Sequence, residues 1–142
     1  MPHQNPSDDE LRRIYQTATT IAVVGASASP DKPSHKIPKL LHDNGYRILP
    51  VNPKAHTLFG SPVYRTLLDV PRPLDVVDVF RPAEETPDIA RDAVRIGAKV
   101  LWLQKGIHDD EAVRIAKDAG LTVVTDLCMG ETFKRLGLPP RR

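Results

Sequence analysis

Short apolar runs alternate with stretches of helical periodicity along this chain. Each run has four to seven residues and is rich in valine, leucine and isoleucine, which is typical of buried parallel strands. The predicted strands are 21–24, 46–51, 74–80, 99–103 and 121–125. Between them, apolar residues recur every three or four positions and predict amphipathic helices. The predicted helices are 8–18, 34–43, 86–96, 109–119 and 130–136, with a short helical piece near Leu67 and Leu68.

This alternation predicts an α/β fold: a Rossmann-like, doubly wound parallel five-stranded sheet with right-handed crossovers and helices on both faces. We expect the strand order 3-2-1-4-5, counted along the chain. The ligand crevice would then lie between strands one and four, outside their carboxyl ends. Because the 142 residues show no linker and no repeat, we expect a single domain over 1–142, with its core at about 8–136.

Local signals mark the ends of three helices. Ser7 and Glu10 have the spacing of a capping box ahead of the first helix. Ser34 is expected to cap the second helix, and Gly45 to end it in a left-handed conformation. Asp126 is expected to cap the last helix or to orient Cys128.

Composition narrows the class of partner. The net charge is +2, like charges do not form long runs, and the seven aromatic residues are scattered, so we expect no nucleic acid partner. The N-terminal ten residues lack an apolar segment, and no apolar run approaches the length of a membrane span, so we expect neither a signal peptide nor a membrane. The single cysteine suits a reducing cytoplasm.

The first strand runs directly into a corner that favours phosphate. Gly25 allows a sharp turn, and the helix that follows directs its partial positive charge at the same place. The later glycines of a G-x-G-x-x-G motif are absent, so the corner by itself indicates a phosphate-bearing ligand without naming it. The candidate residues at this corner are Gly25, Ala26, Ser27, Lys32 and Ser34.

The end of the second strand discriminates between nucleotides. NAD-binding folds carry an acidic residue there for the ribose hydroxyls, but this chain has Val51, Asn52, Pro53 and Lys54. A lysine suits a ribose that carries a phosphate, as in NADP and coenzyme A. Four basic residues follow strand ends and could face several phosphates: Lys32, Lys54, Arg81 and Lys105.

Six short motifs, spread in order over almost the whole chain, resemble those of the stand-alone coenzyme A-binding proteins. These proteins look like the N-terminal CoA-binding domain of the succinyl-CoA synthetase α subunit. The resemblance implies CoA as the ligand. The motifs are 24–27 (VGAS), 45–47 (GYR), 50–53 (PVNP), 79–81 (VFR), 102–107 (WLQKGI) and 123–126 (VVTD) with Cys128.

The resemblance also implies a role for each strand end. The pyrophosphate would lie on Gly25, Ala26 and Ser27, and the adenosine end on the segment from Val51 to Lys54. The rest of the ligand would be flanked by Phe80, Arg81, Leu103, Gln104 and Lys105. The chain departs from the synthetase at 29–33, where the synthetase turn is richer in glycine. It also lacks the segments that carry the ligase's phosphorylated histidine and grasp-type partner, so ligase activity is not expected.

No catalytic residue can be assigned from the sequence. The five histidines are dispersed, so a metal is not expected, and Ser27 and Ser34 have no base at a recognisable spacing. Cys128 lies at the same edge as the ligand: a mixed disulfide with the CoA thiol is one hypothesis, and a buried, inert cysteine is the favoured one. His35 is interpreted as a partly exposed helix residue, and Trp102 as core or pocket wall.

Two alternatives to plain CoA or acyl-CoA binding stay open at this point. One is an NADP-dependent oxidoreductase that uses the same corner. The other is a subunit that presents CoA to an acyl-transfer assembly. A homodimer or a protein partner is compatible with either.

Overall fold

The computed structural model describes residues 2–54 and 56–141, which form five α-helices, two short 3₁₀ helices and seven strands. The helices are α1 Asp8–Thr17, α2 Pro33–Asp43, α3 Thr86–Ile96, α4 Asp110–Asp118 and α5 Met129–Arg135. The 3₁₀ helices are Leu67–Asp69 and Ala83–Glu85. The strands are β1 Thr20–Val24, β2 Arg47–Val51, β3 Thr57–Leu58, β4 Ser61–Pro62, β5 Val76–Val79, β6 Val100–Leu103 and β7 Thr122–Val124.

Five of the strands form one parallel sheet in the order β2-β1-β5-β6-β7, while β3 and β4 form a small separate hairpin. The predicted α/β class and five-stranded parallel sheet are confirmed. The predicted strand order is wrong: counting only the strands of the large sheet, it is 2-1-3-4-5. The direction of winding therefore reverses between β1 and β5, so the expected crevice moves to the carboxyl ends of these two strands.

The second strand lies at the edge because of its own composition. Pro50 has no backbone N–H to donate, and proline within a sheet is confined to edge strands. Its carbonyl accepts a hydrogen bond from the Tyr64 backbone N at 2.9 Å, so the chain after the β3–β4 hairpin covers the outer side of β2. The chain then crosses to the other side of β1, where Val76 pairs with Ile21.

Alternate residues of the strands point to two layers of core. Ala22, Leu49 and Val77 pack with α3 and α4 on one face. Ile21, Ile48 and Trp102 pack with α1, α2 and α5 on the other. The predicted placement of helices on both faces is confirmed.

The helix ends differ from expectation at two places. The capping box of α1 is confirmed, since the Ser7 side chain accepts from the Glu10 backbone N–H. In α2, by contrast, Pro33 takes the first helical position and Lys32 the capping position, so Ser34 lies inside the helix and is not its cap. Proline is favoured at the first position because its fixed φ suits a helix and no donor is needed there.

Cys128, not Asp126, caps α5: its Sγ accepts from the Glu131 backbone N at 3.4 Å. Asp126 has a positive φ of 54°, and its carboxylate accepts instead from the Gly106 backbone N at 2.6 Å. Asp126 therefore ties the loop after β7 to the loop after β6. Within 2–54 and 56–141, every helix is too short or too polar to cross a membrane.

Candidate functional site

Two adjoining clefts open at the carboxyl edge of the sheet, where β1 and β5 end. The first, which we call the β2-side cleft, has a volume of about 480 Å³. It is lined by the ends of β1 and β2, the segment after β5 and the first part of α3. Its lining residues are Val24, Gly25, Val51, Asn52, Pro53, Lys54, Arg65, Thr66, Leu67, Arg81, Glu85, Ile89 and Asp92.

The second, which we call the α5-side cleft, has a volume of about 550 Å³. It lies between the start of α2, the end of β6 and the start of α5. Its lining residues are Lys32, Pro33, Ser34, Lys36, Ile37, Phe80, Gln104, Lys105, Ile107, Cys128 and Glu131. Because Phe80 lines this cleft and Arg81 lines the other, the two clefts meet at the chain segment that leaves β5.

Gly25 allows the strand ends to approach closely at this meeting point. Its φ is +90°, and its backbone N donates to the Val51 carbonyl at 3.0 Å. A Cβ at this position would lie 2.9 Å from the Phe80 carbonyl oxygen and 3.0 Å from Arg81 Cδ. Glycine is therefore required here both by the backbone conformation and by the space available.

Asn52 orients the loop after β1. Its side-chain Nδ2 donates to the Ala26 carbonyl at 2.7 Å, and its Oδ1 accepts from the Lys54 backbone N at 2.8 Å. Its own backbone N donates to the Tyr64 carbonyl at 2.9 Å. Asn52 thus joins three segments. Both ends of its side-chain amide already form hydrogen bonds within the protein.

The loop after β1 is also tied to α2. The Ser27 backbone N donates to the Ser34 carbonyl at 3.1 Å, and His35 Nδ1 lies 2.7 Å from the Ser27 carbonyl. The Ser27 hydroxyl accepts from the Ser29 backbone N at 3.0 Å, as expected for a turn hydroxyl. No side chain among the described residues caps the start of α2, where Pro33 has no N–H and the His35 and Lys36 N–H groups donate to the Lys32 carbonyl at 2.9 Å. The Ser34 N–H and the helix dipole therefore favour an anion beside Lys32.

The β2-side cleft carries three basic and two acidic side chains. Arg81 forms a two-pronged ion pair with Glu85, at 3.1 Å from Nε and 2.8 Å from an Nη. This hydrogen bonding raises the pKa of Arg81 above its ordinary value. Lys54 and Arg65 are exposed and form no ion pair within the described residues. An anionic ligand would therefore meet two available cations and one that is shared with Glu85.

The α5-side cleft combines an apolar wall with a basic rim. Ile37, Phe80 and Ile107 are partly buried and supply much of the wall. Its rim carries Lys32, Lys36 and Lys105, of which Lys105 lies 3.7 Å from the Glu131 carboxylate. Cys128 contributes a half-buried free thiol to the same wall. This cleft suits an elongated, mostly uncharged group attached to an anionic one.

Beneath the α5-side cleft lies a fully buried carboxyl group, that of Asp78. Its Oδ1 accepts a hydrogen bond from Gln104 Nε2, and Gln104 Oε1 accepts from the Met129 backbone N at 3.3 Å. Burial raises the pKa of Asp78 to about 7, although the hydrogen bonds from Gln104 and from the Val79 backbone lower it in part. Gln104 is 4% exposed, so it connects this buried group to the cleft wall.

Residues 19–133 match the model of a family described as CoA binding domain. The chain belongs to the CoA binding domain family. This membership supports binding of coenzyme A in general, and it confirms the family predicted from the motifs.

Two relatives of this CoA binding domain differ greatly in length. The protein named YneT from Bacillus subtilis is 40% identical over 126 residues, which cover 89% of this chain and 93% of YneT. An ADP-forming acetate–CoA ligase from Methanocaldococcus jannaschii is 27% identical over 131 residues, which cover 87% of this chain but only 18% of the ligase.

Solved structures show the same contrast. The structure of cell-free ID.343 from Thermus thermophilus superposes with a TM-score of 0.89 at 41% identity, covering 92% of this chain and 99% of that one. The dinucleotide-forming acetyl-coenzyme A synthetase 1 of Candidatus Korarchaeum cryptofilum superposes with a TM-score of 0.70 at 28% identity, covering 82% of this chain but 28% of the synthetase.

Most of the residues predicted to bind the ligand line one of the two clefts of this CoA binding domain. Three do not: Leu103 and Ala26, which are buried, and Ser27, which is partly exposed and whose hydroxyl accepts from the Ser29 backbone in the turn after β1. The four basic residues do not form one cluster. Lys54 and Arg81 lie in the β2-side cleft, while Lys32 and Lys105 lie in the α5-side cleft.

Sequence reasoning missed several lining residues of the CoA binding domain. Arg65 follows the β3–β4 hairpin and is brought back to the site by the pairing of Tyr64 with Val51, which no local pattern reveals. Lys36 could have been found, because it lies one helical turn after Lys32. Glu85, which lines the β2-side cleft, was also missed, as was Asp78, which is buried and lines neither cleft. Among 2–54 and 56–141, no group of three or more His, Cys, Asp or Glu side chains could hold a metal ion.

Proposed function

We propose that this chain binds CoA or an acyl-CoA across both clefts, with the nucleotide in the β2-side cleft and the pantetheine arm in the α5-side cleft. The observation that carries the proposal is the pairing of the two clefts at the β1–β5 switch point. Both clefts carry basic side chains at their rims, and only the α5-side cleft also has an apolar wall. CoA has the same division, since a triply phosphorylated nucleotide continues into a long, uncharged arm that ends in a thiol.

The nucleotide end is assigned by charge. Lys54 and Arg65 are exposed cations at the end of β2, where an acidic residue would select an unphosphorylated ribose. They support recognition of the ribose 3′-phosphate. The diphosphate would lie between the loop after β1 and the uncapped start of α2, beside Lys32.

The arm is assigned by the lining of the α5-side cleft. Ile37, Phe80 and Ile107 would pack against the methyl and methylene groups of pantetheine. The thiol would then lie near Cys128. No group in the clefts is assigned a chemical step, so the proposed function is binding without catalysis by this chain.

Isothermal titration calorimetry with CoA, 3′-dephospho-CoA and NADP tests the proposal. We expect CoA to bind and the loss of the 3′-phosphate to weaken binding about five- to tenfold, which is the effect of one charge-assisted contact at an exposed site. Lys54→Ala should weaken CoA binding by a similar factor but leave 3′-dephospho-CoA unaffected. Lys134→Ala is the matched control, because Lys134 is exposed on α5 and lies outside both clefts.

Binding of NADP without binding of CoA would contradict the proposal and favour the oxidoreductase alternative. Equal affinity for CoA and 3′-dephospho-CoA would contradict only the proposed recognition of the 3′-phosphate by Lys54, and CoA binding itself would stand.

A further inference from the structure

A carboxyl group in the middle of the sheet is not explained by packing. Asp78 belongs to β5, the central strand, and its register neighbours are Val23 on β1 and Trp102 on β6. It is 0% exposed. A buried carboxylate costs free energy unless it is well paired, so an apolar side chain at this position would be expected if only the core mattered.

Apart from the Val79 backbone that follows it on β5, the hydrogen-bonding partner of the Asp78 carboxyl lies toward the α5-side cleft. Oδ1 accepts from Gln104 Nε2, while Oδ2 has no hydrogen-bonding partner among the described residues. Gln104 Oε1 in turn accepts from the backbone N of Met129, the first residue of α5. Gln104 and Cys128, the residue before α5, both line the cleft. The carboxyl group is thus joined through one amide to the wall of the candidate ligand site.

The hydrogen bond between Asp78 and the Gln104 amide depends on whether the Asp78 carboxyl is ionised or protonated. An ionised carboxylate only accepts, so it fixes the amide with its NH₂ toward Asp78 and its oxygen toward Met129 N. Protonation at Oδ1 would require the opposite orientation of the amide, which would set two donors face to face at Met129. Protonation at Oδ2 would leave a neutral hydrogen bond, about half as strong as the charge-assisted one. In either case the hold on the start of α5 weakens.

Because of its surroundings, Asp78 changes between its protonated and ionised forms near neutral pH. Burial raises its pKa to about 7, and no basic side chain among the described residues offsets that effect. Besides Asp78, the titratable groups that interact with Tyr15 of α1 on this face are Tyr46 ahead of β2, Cys128 ahead of α5 and Arg135 on α5. The charged groups at the rim of the adjoining cleft are Lys32 and Lys36 at the start of α2, Lys105 after β6 and Glu131 on α5. The Tyr15 hydroxyl donates to the Met129 carbonyl at 2.6 Å, and the Tyr46 hydroxyl donates to the Tyr15 carbonyl at 2.7 Å. Both hydroxyl protons are therefore already used.

We propose that Asp78 is a positioning residue which, through Gln104, holds the start of α5 against the α5-side cleft, and that its ionised form favours binding of the pantetheine arm. The inference rests on the proposed function and adds pH control to the same site. CoA binds more tightly above neutrality than below it. Binding of a nucleotide that lacks the arm does not depend on the ionisation of Asp78.

Calorimetric titrations from about pH 6 to about pH 8 provide the test, with CoA and with 3′-phosphoadenosine 5′-diphosphate as probes. CoA affinity should fall about five- to tenfold toward the acidic end, with its midpoint near the pKa of Asp78. Each probe carries phosphate monoesters whose second pKa is about 6, so the control for phosphate titration is the same titration of Asp78→Asn. The arm-less nucleotide should lose the same affinity in the wild type and in this variant. Asp78→Asn should bind CoA as weakly as the wild type does at low pH and should keep only the pH dependence that the 3′-phosphate contributes. Thermal melts would establish that this variant folds.

A second measurement needs no variant. Carboxyl ¹³C NMR of the wild type should show one aspartate that titrates near neutrality. Saturating CoA should lower its pKa, because a ligand that prefers the ionised form must stabilise that form in return.

The outcomes separate the two proposals. If the wild type binds no CoA at any pH, the proposed function is wrong and this inference falls with it. If CoA binds but Asp78→Asn keeps the wild-type pH profile, or if Asp78→Asn changes the profile of the arm-less nucleotide as much as that of CoA, only the role of Asp78 is overturned. An unchanged Asp78 pKa on CoA binding would overturn it as well.

Discussion

Gly25 shows how a single position can determine the shape of the site. Its positive φ is a cost that any other residue would bear, but five other described glycines with positive φ have open space around the position of a Cβ. At Gly25 that space is filled by the Phe80 carbonyl and the Arg81 side chain. The close approach of β1 to β5, and therefore the junction of the clefts, depends on the missing side chain.

We expect Gly25→Ala to lower the free energy of unfolding by about 2–4 kcal/mol, since a left-handed φ and a clash with backbone act together. Gly97→Ala is the control: Gly97 ends α3 with φ 79°, and no atom of the described residues outside its chain neighbours lies within 4 Å of its Cβ position. It should cost only about 1 kcal/mol. Urea unfolding measures both. Equal losses would show that the contact with Phe80 does not matter.

Arg81 illustrates a residue whose position was predicted but whose partner was not. Its position directly after a predicted strand indicated that Arg81 lies at the site. Its ion pair with Glu85 forms because the 3₁₀ helix Ala83–Glu85 follows and brings the Glu85 carboxylate close. This pair partly occupies the cation that a phosphate would use.

Glu85→Gln should therefore strengthen CoA binding by about two- to fivefold, because it releases Arg81 and removes a negative charge from the cleft. Asp88→Asn is the matched control, since Asp88 pairs with Arg91 on α3 and lies outside both clefts. Calorimetry with CoA at low ionic strength measures the difference. Weaker binding by Glu85→Gln would indicate that Glu85 contacts the ligand directly.

At the scale of elements, helix ends followed local chemistry where the signal was complete. The capping box of α1 has both of its reciprocal hydrogen bonds, from the Glu10 backbone to Ser7 and from the Ser7 backbone to Glu10 at 3.3 Å each. In α2, proline and serine gave competing signals for the helix start, and proline prevailed.

Ser7→Ala should lower the free energy of unfolding by about 1 kcal/mol, because one backbone N–H at the start of α1 loses its acceptor. Glu10→Gln keeps an acceptor for the Ser7 backbone and should have a much smaller effect. Chemical unfolding followed by circular dichroism checks both variants. A large decrease in the free energy of unfolding for Glu10→Gln would mean that Glu10 stabilises α1 through its charge and not through its hydrogen bond to the Ser7 backbone.

At the scale of the whole molecule, two aspartates of the β5 segment act on stability in opposite directions. Burial acts to raise the pKa of Asp75, but hydrogen bonds from the Thr19 and Thr20 backbones and from Lys99 outweigh it and lower that pKa. Asp75 therefore stabilises the fold above its ordinary pKa, and this stabilisation is lost as the pH falls through the folded-state value. Asp78 has a raised pKa, so its contribution is greatest at low pH and is lost as the pH rises toward about 7.

Asp75→Asn should destabilise the protein by about 1 kcal/mol at neutral pH, since neutral acceptors replace charge-assisted ones at Thr19 N and Thr20 N. The difference from wild type should shrink as the pH falls below the ordinary range of an aspartate. Thermal melts over a pH series measure it. A difference that stays constant with pH would show that the charge of Asp75 does not contribute.

The sequence by itself determined the five α-helices, the five strands of the large sheet, the α/β class and half of the residues that line the clefts. The physical reason is that these depend on local periodicity and on the rule that parallel strands bring their carboxyl ends to one edge. Pro50 even carried the signal that β2 is an edge strand.

What only the tertiary structure decided depends on contacts between distant segments. These are the side of β1 on which β5 pairs, the return of Arg65 to the site through Tyr64, the division of the basic residues between two clefts, and the meeting of Asp78 with Gln104 across 26 positions of the chain. Periodicity does not encode such contacts, because each is selected by the packing of the whole chain and not by its neighbours in sequence.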